Sequence, residues 1–350
     1  DKTAYDKESN GERLGVGIAF LSDFTVYSVS GNSPAEQAGI KAGGKVTAFK
    51  SGTSDVWTAA TTENDGFNGF KSFLNGIGSG DTVCLKIEYS GGEAFEYEMA
   101  KKAYNQTFVY YADQSGYYGY GDQSGEMQLN KTDRVTSLDG VALSEIDEKT
   151  GYIRLTQFSG LKSGLYGGAG QFAGALNKFK SQNRKNLILD LRGNGGGFVS
   201  ILTEVAALLT PTTDEKFMIS YAENKYGRRS EFYSKNSEFY NYNIEKFSVL
   251  TDSGTASASE ALTGALLDYA DKSGFGGLTD YVEGGGGVYK TYGKGIKQST
   301  YKNSDGSAVK LTTDKLYFPL SGISIHGVGI TEKTSPRVKT AENYAIFRFL

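Results

Sequence analysis

The chain has 350 residues, with 37 Lys and Arg against 40 Asp and Glu, one histidine and one cysteine. Near-balanced charge removes the electrostatic case for nucleic acid or an anionic membrane surface, and a lone cysteine excludes an internal disulfide and a cysteine-based metal site. With 47 Gly and 24 Tyr but only 4 Pro, the composition is that of a strand- and loop-rich globular protein, long enough for one small and one large domain.

No apolar run approaches the roughly 18 residues of a membrane span, and no signal peptide is visible. The abrupt polar start at Asp1 suits a chain from which a leader has been removed. Residues 12–103 read as a first, β-rich domain. Leu14-Gly-Val-Gly-Ile-Ala-Phe20 and Phe24 to Val29 alternate as strands do. Ser33-Pro-Ala-Glu36 then supplies an N-cap, a proline at the first helical position and a capping glutamate, and Gly39 closes that short helix. Strands follow at Thr47 to Lys50, Val83 to Tyr89 (with Cys84 as a core residue) and Phe95 to Met99. Phe67, Phe70, Phe73 and Leu74 mark a helix between them.

This order resembles a PDZ domain, and Ser33-Pro-Ala-Glu-Gln-Ala-Gly-Ile-Lys-Ala-Gly43 is very similar to that family's turn segment. The resemblance implies a groove to which an extended peptide adds as a strand, with a loop of backbone amides holding its terminal carboxylate. By match the loop is Leu14, Gly15, Val16 and Gly17, and the groove runs between Ile18 to Phe20 and the helix carrying Phe70. On the residues alone, the glycines make a turn and the phenylalanines fill a core.

Residues 104–139, rich in Tyr, Gly, Gln and Asp, read as weak strands in a connector. A third region, 140–350, alternates strand and helix. Tyr152 to Phe158 is a strand, Phe172, Leu176 and Phe179 lie on one helical face, and Leu187-Ile-Leu-Asp-Leu191 is a buried strand. Arg192-Gly-Asn-Gly-Gly-Gly197 is a sharp turn into a helix carrying Ile201, Leu202, Val205, Leu208 and Leu209. Such alternation implies helices layered on a sheet. Consecutive glycines let backbone amides approach a developing oxyanion. The turn lacks the context of a phosphate loop.

Phe217 to Tyr242 reads as an aromatic hairpin leading to the strand ending at Leu250. From Ala258 apolar residues recur at 261, 262, 265, 266 and 269, which is helical spacing, so Ser257 stands at a strand-to-helix turn beside helix N-terminal amides. The same Ser257-Ala-Ser-Glu260 is a capping box, in which the hydroxyl would cap an amide and Glu260 would reach back. With one histidine in the chain, a serine hydrolase uses His326 or a lysine base. A lysine serves only if burial lowers its pKa from about 10.4 toward neutrality. Lys294, flanked by Gly293 and Gly295, is the candidate.

Three segments carry a second resemblance: Asp190-Leu-Arg-Gly-Asn-Gly-Gly-Gly197, Thr255-Ala-Ser-Ala-Ser-Glu260 and Tyr292-Gly-Lys-Gly-Ile-Lys-Gln298. Together they resemble the signatures of the carboxyl-terminal-processing, or tail-specific, serine peptidases. The resemblance implies an α/β (α+β) multidomain protein: a PDZ-like domain followed by a crotonase-like peptidase domain of layered sheet and helices. It implies a Ser-Lys dyad with Ser257 as nucleophile, Lys294 as base and Gln298 orienting the lysine. The oxyanion donors fall on the amide of Ala258, or of Ser257, and one of Gly195, Gly196 and Gly197. Polypeptides with free C-termini are the implied substrates, with no metal or cofactor and an extracytoplasmic location. An extended chain would separate Lys294 and Gln298 by about 13 Å at about 3.3 Å per residue, so their contact requires a bend or a helical turn, with Gly295 the expected place. Asp268, about 16 Å from Ser257 along one helix, is expected to hold a neighbouring element.

The run Gly284 to Gly287 departs from a more proline-containing approach to the lysine, which suggests a mobile loop and a site unformed at rest. The longer helical leader common in the family is also missing, leaving dimerisation open. His326 falls where the family has no catalytic residue. Two rivals stand: a latent or non-catalytic peptide-binding relative, and a crotonase-like acyl-CoA enzyme. The second would need an acid/base carboxylate near the glycine turn and basic residues for CoA phosphates, neither of which is evident.

Overall fold

The structure, a computed structural model, describes residues 2–123, 126–132, 135–210, 216–273, 278–284, 290–335 and 337–340. It is a mixed α/β protein of two compact units: one of residues 7–107 and 120–128, the other of 1–6, 108–119 and 129–350. Residues 108–119, expected in a connector, belong to the larger unit because Val109, Tyr111 and Ala112 are fully buried there.

Helix α1 (Lys2–Ser9) opens the chain, and the smaller unit then runs β1 (Glu12–Gly15), β2 (Ile18–Phe20), β3 (Val26–Val29) and α2 (Pro34–Ala38). The expected first strand is cut into β1 and β2 at Gly17, whose φ of +83° turns the chain. A side chain at Gly17 would collide with Ser33 Cβ at 2.1 Å, so glycine is required there. Helix α2 is built as its sequence dictates. Ser33 Oγ accepts from Glu36 N at 3.2 Å, Glu36 Oε2 accepts from Asn32 N at 2.6 Å, and Gly39 ends the helix at φ +90°.

The unit continues through β4 (Lys45–Ser51), β5 (Thr58–Ala59), α3 (Gly66–Gly76), β6 (Thr82–Glu88), β7 (Ala94–Ala100) and β8 (Lys102–Asn105). An antiparallel sheet orders as β5-β4-β6-β7, while β1 pairs with β8 and β2 with β3. Its core holds Phe24, Val26, Phe49, Phe70, Leu85 and Ile87, and Cys84 is buried at its side.

The larger unit begins its sheet with β9 (Val109–Asp113), which forms a hairpin with β10 (Gly116–Gln123). The chain passes into the smaller unit at 120–128, so β10 and β11 (Glu126–Thr132) are shared between the units, and the short pair β12 (Ser137–Leu138) and β13 (Val141–Ala142) follows in the larger one. Next come β14 (Thr150–Leu155), α4 (Gly168–Ser181), β15 (Asn186–Asp190) and α5 (Val199–Leu209). The hairpin β16 (Met218–Asn224) and β17 (Arg229–Tyr233) leads to β18 (Lys246–Thr251) and α6 (Ala258–Ser273). Last are β19 (Leu278–Gly284), β20 (Ile296–Lys302), β21 (Ala308–Tyr317) and β22 (Val338–Thr340).

Strands β9-β14-β15-β18-β19-β22 lie side by side, and from β14 onward every pairing is parallel. Strand β15 is buried along its whole length, as expected of a parallel strand with both faces covered. Phe172, Leu176 and Phe179 of α4 and Ile201, Leu202, Val205, Leu208 and Leu209 of α5 are all buried. A second sheet, β17-β16-β21-β20, is antiparallel. The run at 284–287 falls mostly outside the described residues.

Because β14, β15, β18 and β19 run parallel, their carboxyl ends share one edge. The turn after β15 carries Gly195, Gly196 and Gly197, and the turn after β18 carries Ser257. Open parallel sheets present ligand-facing loops at that edge.

Candidate active site

Ser257 sits one residue before α6 with φ +60°, a left-handed conformation that costs an L-residue about 1 kcal/mol or more. An ordinary N-cap is extended, so the capping box is only half made. Glu260 reaches back to accept Ser257 N at 2.9 Å, while among the described residues the Ser257 hydroxyl takes no partner. The hydroxyl of a half-buried residue is thereby left available.

The turn is fastened on its glycine side by Asn194, which is fully buried. Its carbonyl accepts from Ala256 N and from Ser259 Oγ, each at 2.9 Å. Its side-chain amide donates to Leu155 O at 2.8 Å, and its Oδ1 accepts from Gly196 N at 2.9 Å. Asp252 Oδ1 adds a second tie, accepting from Gly193 N at 2.8 Å and Gly254 N at 2.9 Å. Gly196, at φ +98°, lies so close that a Cβ would stand 2.7 Å from both Ala256 O and Ser257 Cβ. Of the amides expected to face an oxyanion, that of Gly196 is therefore engaged by Asn194. Those of Ala258, Gly195 and Gly197 donate to no described residue.

On its other side the turn meets the lysine segment. Tyr292 N donates to Thr255 O at 3.0 Å. Glu260 Oε2, already on Ser257 N, accepts Lys294 N at 2.9 Å, and Oε1 accepts Gly293 N at 2.8 Å and the Thr291 hydroxyl. Burial pushes the Glu260 carboxyl above its usual pKa, against four hydrogen bonds that favour the ionised form. Lys294 is half-buried, and its side-chain nitrogen forms no ion pair among the described residues. Gly295 packs against the His326 backbone, where a Cβ would meet His326 N at 2.7 Å. The His326 side chain is exposed.

The expected bend at Gly295 exists, since Ile296 N donates to Lys294 O at 2.9 Å. Gln298 is not brought to Lys294 by it. It lies exposed on β20, with Nε2 donating to Thr312 Oγ1 of β21 at 3.5 Å. Asp268 holds a neighbouring turn, its Oδ2 accepting from Leu320 N and Ser321 N, each at 2.8 Å. Glu260 as a tie to Lys294, and Asn194 as a hub, were not foreseen from sequence. The first was visible only as half of a capping box, and the second only as the one non-glycine between Gly193 and Gly195.

In the smaller unit, Leu14 and Gly15 belong to β1, paired with Ala103 and Lys102 of β8. Leu14 is 62% exposed and Val16 is buried. Strand β2, with Ile18 and Phe20 half-buried, pairs on one edge with β3. Phe70 corrects an expectation. Its ring is wholly buried, 5.0 Å from Phe20, 5.5 Å from Phe24 and 4.9 Å from Phe49, and offers no surface to a peptide.

A parallel sheet with a strained serine at the carboxyl end of one strand and a glycine turn at the end of the next is a layered hydrolase arrangement, and comparison gives it a family. The profile of peptidase family S41 matches residues 149–335, more than half of the chain, and the chain belongs to that family. It is 32% identical over 207 residues to the carboxyl-terminal-processing protease of Synechocystis sp., a match covering 58% of this chain and 42% of that protein. It is likewise 32% identical over 180 residues to the carboxy-terminal processing protease CtpB of Bacillus subtilis, covering 51% of this chain and 32% of the other. The matches thus span less than half the length of these two relatives. Among solved structures, a putative S41 protease from Bacteroides fragilis superposes with a TM-score of 0.53 at 17% identity, over 89% of this chain and 75% of that one, and shares the fold.

Proposed function

We propose that the protein is a serine endopeptidase that cleaves polypeptides near their C-terminus with a Ser-Lys dyad. The observation that carries this reading is the left-handed Ser257, its hydroxyl unengaged, whose backbone amide shares one carboxylate oxygen with the amide of Lys294. Ser257 Oγ attacks the scissile carbonyl while Lys294 takes its proton, and the tetrahedral oxyanion is met by the Ala258 amide and that of Gly195 or Gly197. Collapse returns the proton from Lys294 to the leaving amine, and water then clears the acyl-enzyme by the same route.

The smaller unit acts in this reading as a PDZ-like module. A substrate tail adds to the second edge of β2, its carboxylate held by amides at Val16 and Gly17. The unit's β-rich layout and the turn at Gly17 support this. Location outside the cytoplasm is part of the proposal and rests on the resemblance alone.

A second reading is favoured by one observation, the engagement of Gln298 with Thr312. In it the enzyme rests latent until Gln298 turns to Lys294. The test is incubation with an unstructured polypeptide ending in apolar residues, the fragments followed by mass spectrometry, with Ser257→Ala as control. Serine-dependent cutting supports the peptidase. Binding through the free C-terminus without cutting favours the latent form, and neither cutting nor binding overturns both readings.

A further inference from the structure

We propose that Glu260 is a positioning residue that holds the Ser257 turn and the Lys294 segment in register, an inference that rests on the peptidase reading above. The two segments are 37 positions apart in sequence, and one side chain takes backbone donors from both. Glu260 has the means. It is fully buried, and each oxygen takes two donors: Ser257 N and Lys294 N on Oε2, Gly293 N and the Thr291 hydroxyl on Oε1. Two carboxylate oxygens accept about four hydrogen bonds, so the acceptor capacity is filled. Thr291 extends the tie, its Oγ1 accepting from Ile330 N at 2.7 Å.

No other side chain of this size replaces it. An amide of the same shape keeps one acceptor oxygen and sets an NH2 where the other stood. In either orientation at least one backbone N–H then faces a second donor. Aspartate keeps both oxygens but is one methylene shorter, so it reaches the donors of its own turn better than those of the lysine segment. Glu260 touches neither substrate nor reacting atoms in this scheme. It acts through the backbone of the two residues that do.

The first measurement needs no turnover: hydrogen exchange on the full chain, wild type against Glu260→Gln and Glu260→Asp. In Glu260→Gln, peptides covering 256–258 and 291–295 are expected to lose protection together while those covering 262–268 keep theirs. Unchanged protection in both segments, or loss in one alone, overturns the proposal. The second is steady-state kinetics on polypeptide. Displacing a reacting group by about 1 Å costs about 100-fold, so kcat of Glu260→Gln should fall by about that factor with KM little changed, and Glu260→Asp should recover part of it. A residue that only stabilises the fold would lower the melting temperature and leave kcat per folded molecule at the wild-type value, which would also overturn it. If the wild type shows no Ser257-dependent turnover, the peptidase reading fails by itself, and the exchange data still decide whether Glu260 joins the two segments.

Discussion

At the scale of single residues the site is a set of local departures from what the backbone prefers, each held by a buried polar partner. Ser257 at φ +60° is the plainest. Glycine adopts that conformation freely, so Ser257→Gly should raise stability by about 1 kcal/mol while removing any serine-dependent turnover. Urea titration gives the first and fragment analysis the second. A Ser257→Gly protein less stable than wild type would mean that the hydroxyl makes a stabilising contact. Glu260 is the second departure, a carboxylate in the interior. Its folded pKa lies above the ordinary 4.5, so the folded protein binds this proton more tightly than the unfolded chain does. The sign follows: its contribution to stability is complete below 4.5 and is lost as the pH rises through the folded value. Relative to Glu260→Gln, which does not titrate there, the wild type should lose stability with rising pH. Chemical denaturation of both proteins from about pH 4 to about pH 8 would reveal it. A difference that grows with pH would show instead that the four hydrogen bonds outweigh burial.

At the scale of elements, what was legible in the sequence is what local chemistry decides. The start and stop of α2 could be read from Ser33, Pro34, Glu36 and Gly39, because each acts within one helical turn. The buried faces of α4 and α5 could be read because their periods are set by the sheet they cover. The break between β1 and β2 was not read, since it depends on the φ of Gly17 and on the room left by Ser33, a partner sixteen residues away. The same limit hid the site's wiring. Ser257, Lys294 and the glycines stood out by resemblance. That Glu260 takes Gly293 and Lys294, or that Gln298 faces Thr312 instead of Lys294, depends on contacts between elements that no short motif encodes. Phe70 shows the converse, an aromatic whose spacing fitted a groove wall but whose burial by Phe20, Phe24 and Phe49 makes it core. Helix α6 offers a test of such contacts. Gly264 lies under the buried Phe318 ring, and a Cβ there would stand 1.9 Å from it. Alanine gains about 1 kcal/mol of helix propensity over glycine, yet overpacking a filled interior costs about 1–3 kcal/mol and often more at so short a contact. Gly264→Ala should therefore melt lower than wild type. A higher melting temperature would mean that the ring moves aside at little cost.

At the scale of the whole molecule the two compact units divide the chemistry proposed for them. The larger unit holds every group proposed to touch the scissile bond, and the smaller holds none of them, so the capture proposed for the smaller unit is to be sought in binding. Its own core, built on Phe24, Phe49, Phe70, Leu85 and Ile87, lets it present β2 as a preformed edge. In the proposed capture the terminus is the group that can be changed without altering any side chain, and a free carboxylate differs from its amide by one full charge. Two polypeptides identical except for a C-terminal carboxylate or carboxamide therefore separate the roles of the units. If the smaller unit captures tails, the amide should raise KM by about tenfold, the loss of one charge-assisted hydrogen bond of about 1.5 kcal/mol, and leave kcat unchanged. Equal KM values for the two substrates would remove tail capture from the scheme while leaving Ser257 and Lys294 untouched. A fall in kcat with KM constant would point the other way, to a terminus that must be held for the lysine side of the site to assemble, and would join the capture step to the Gln298 rearrangement.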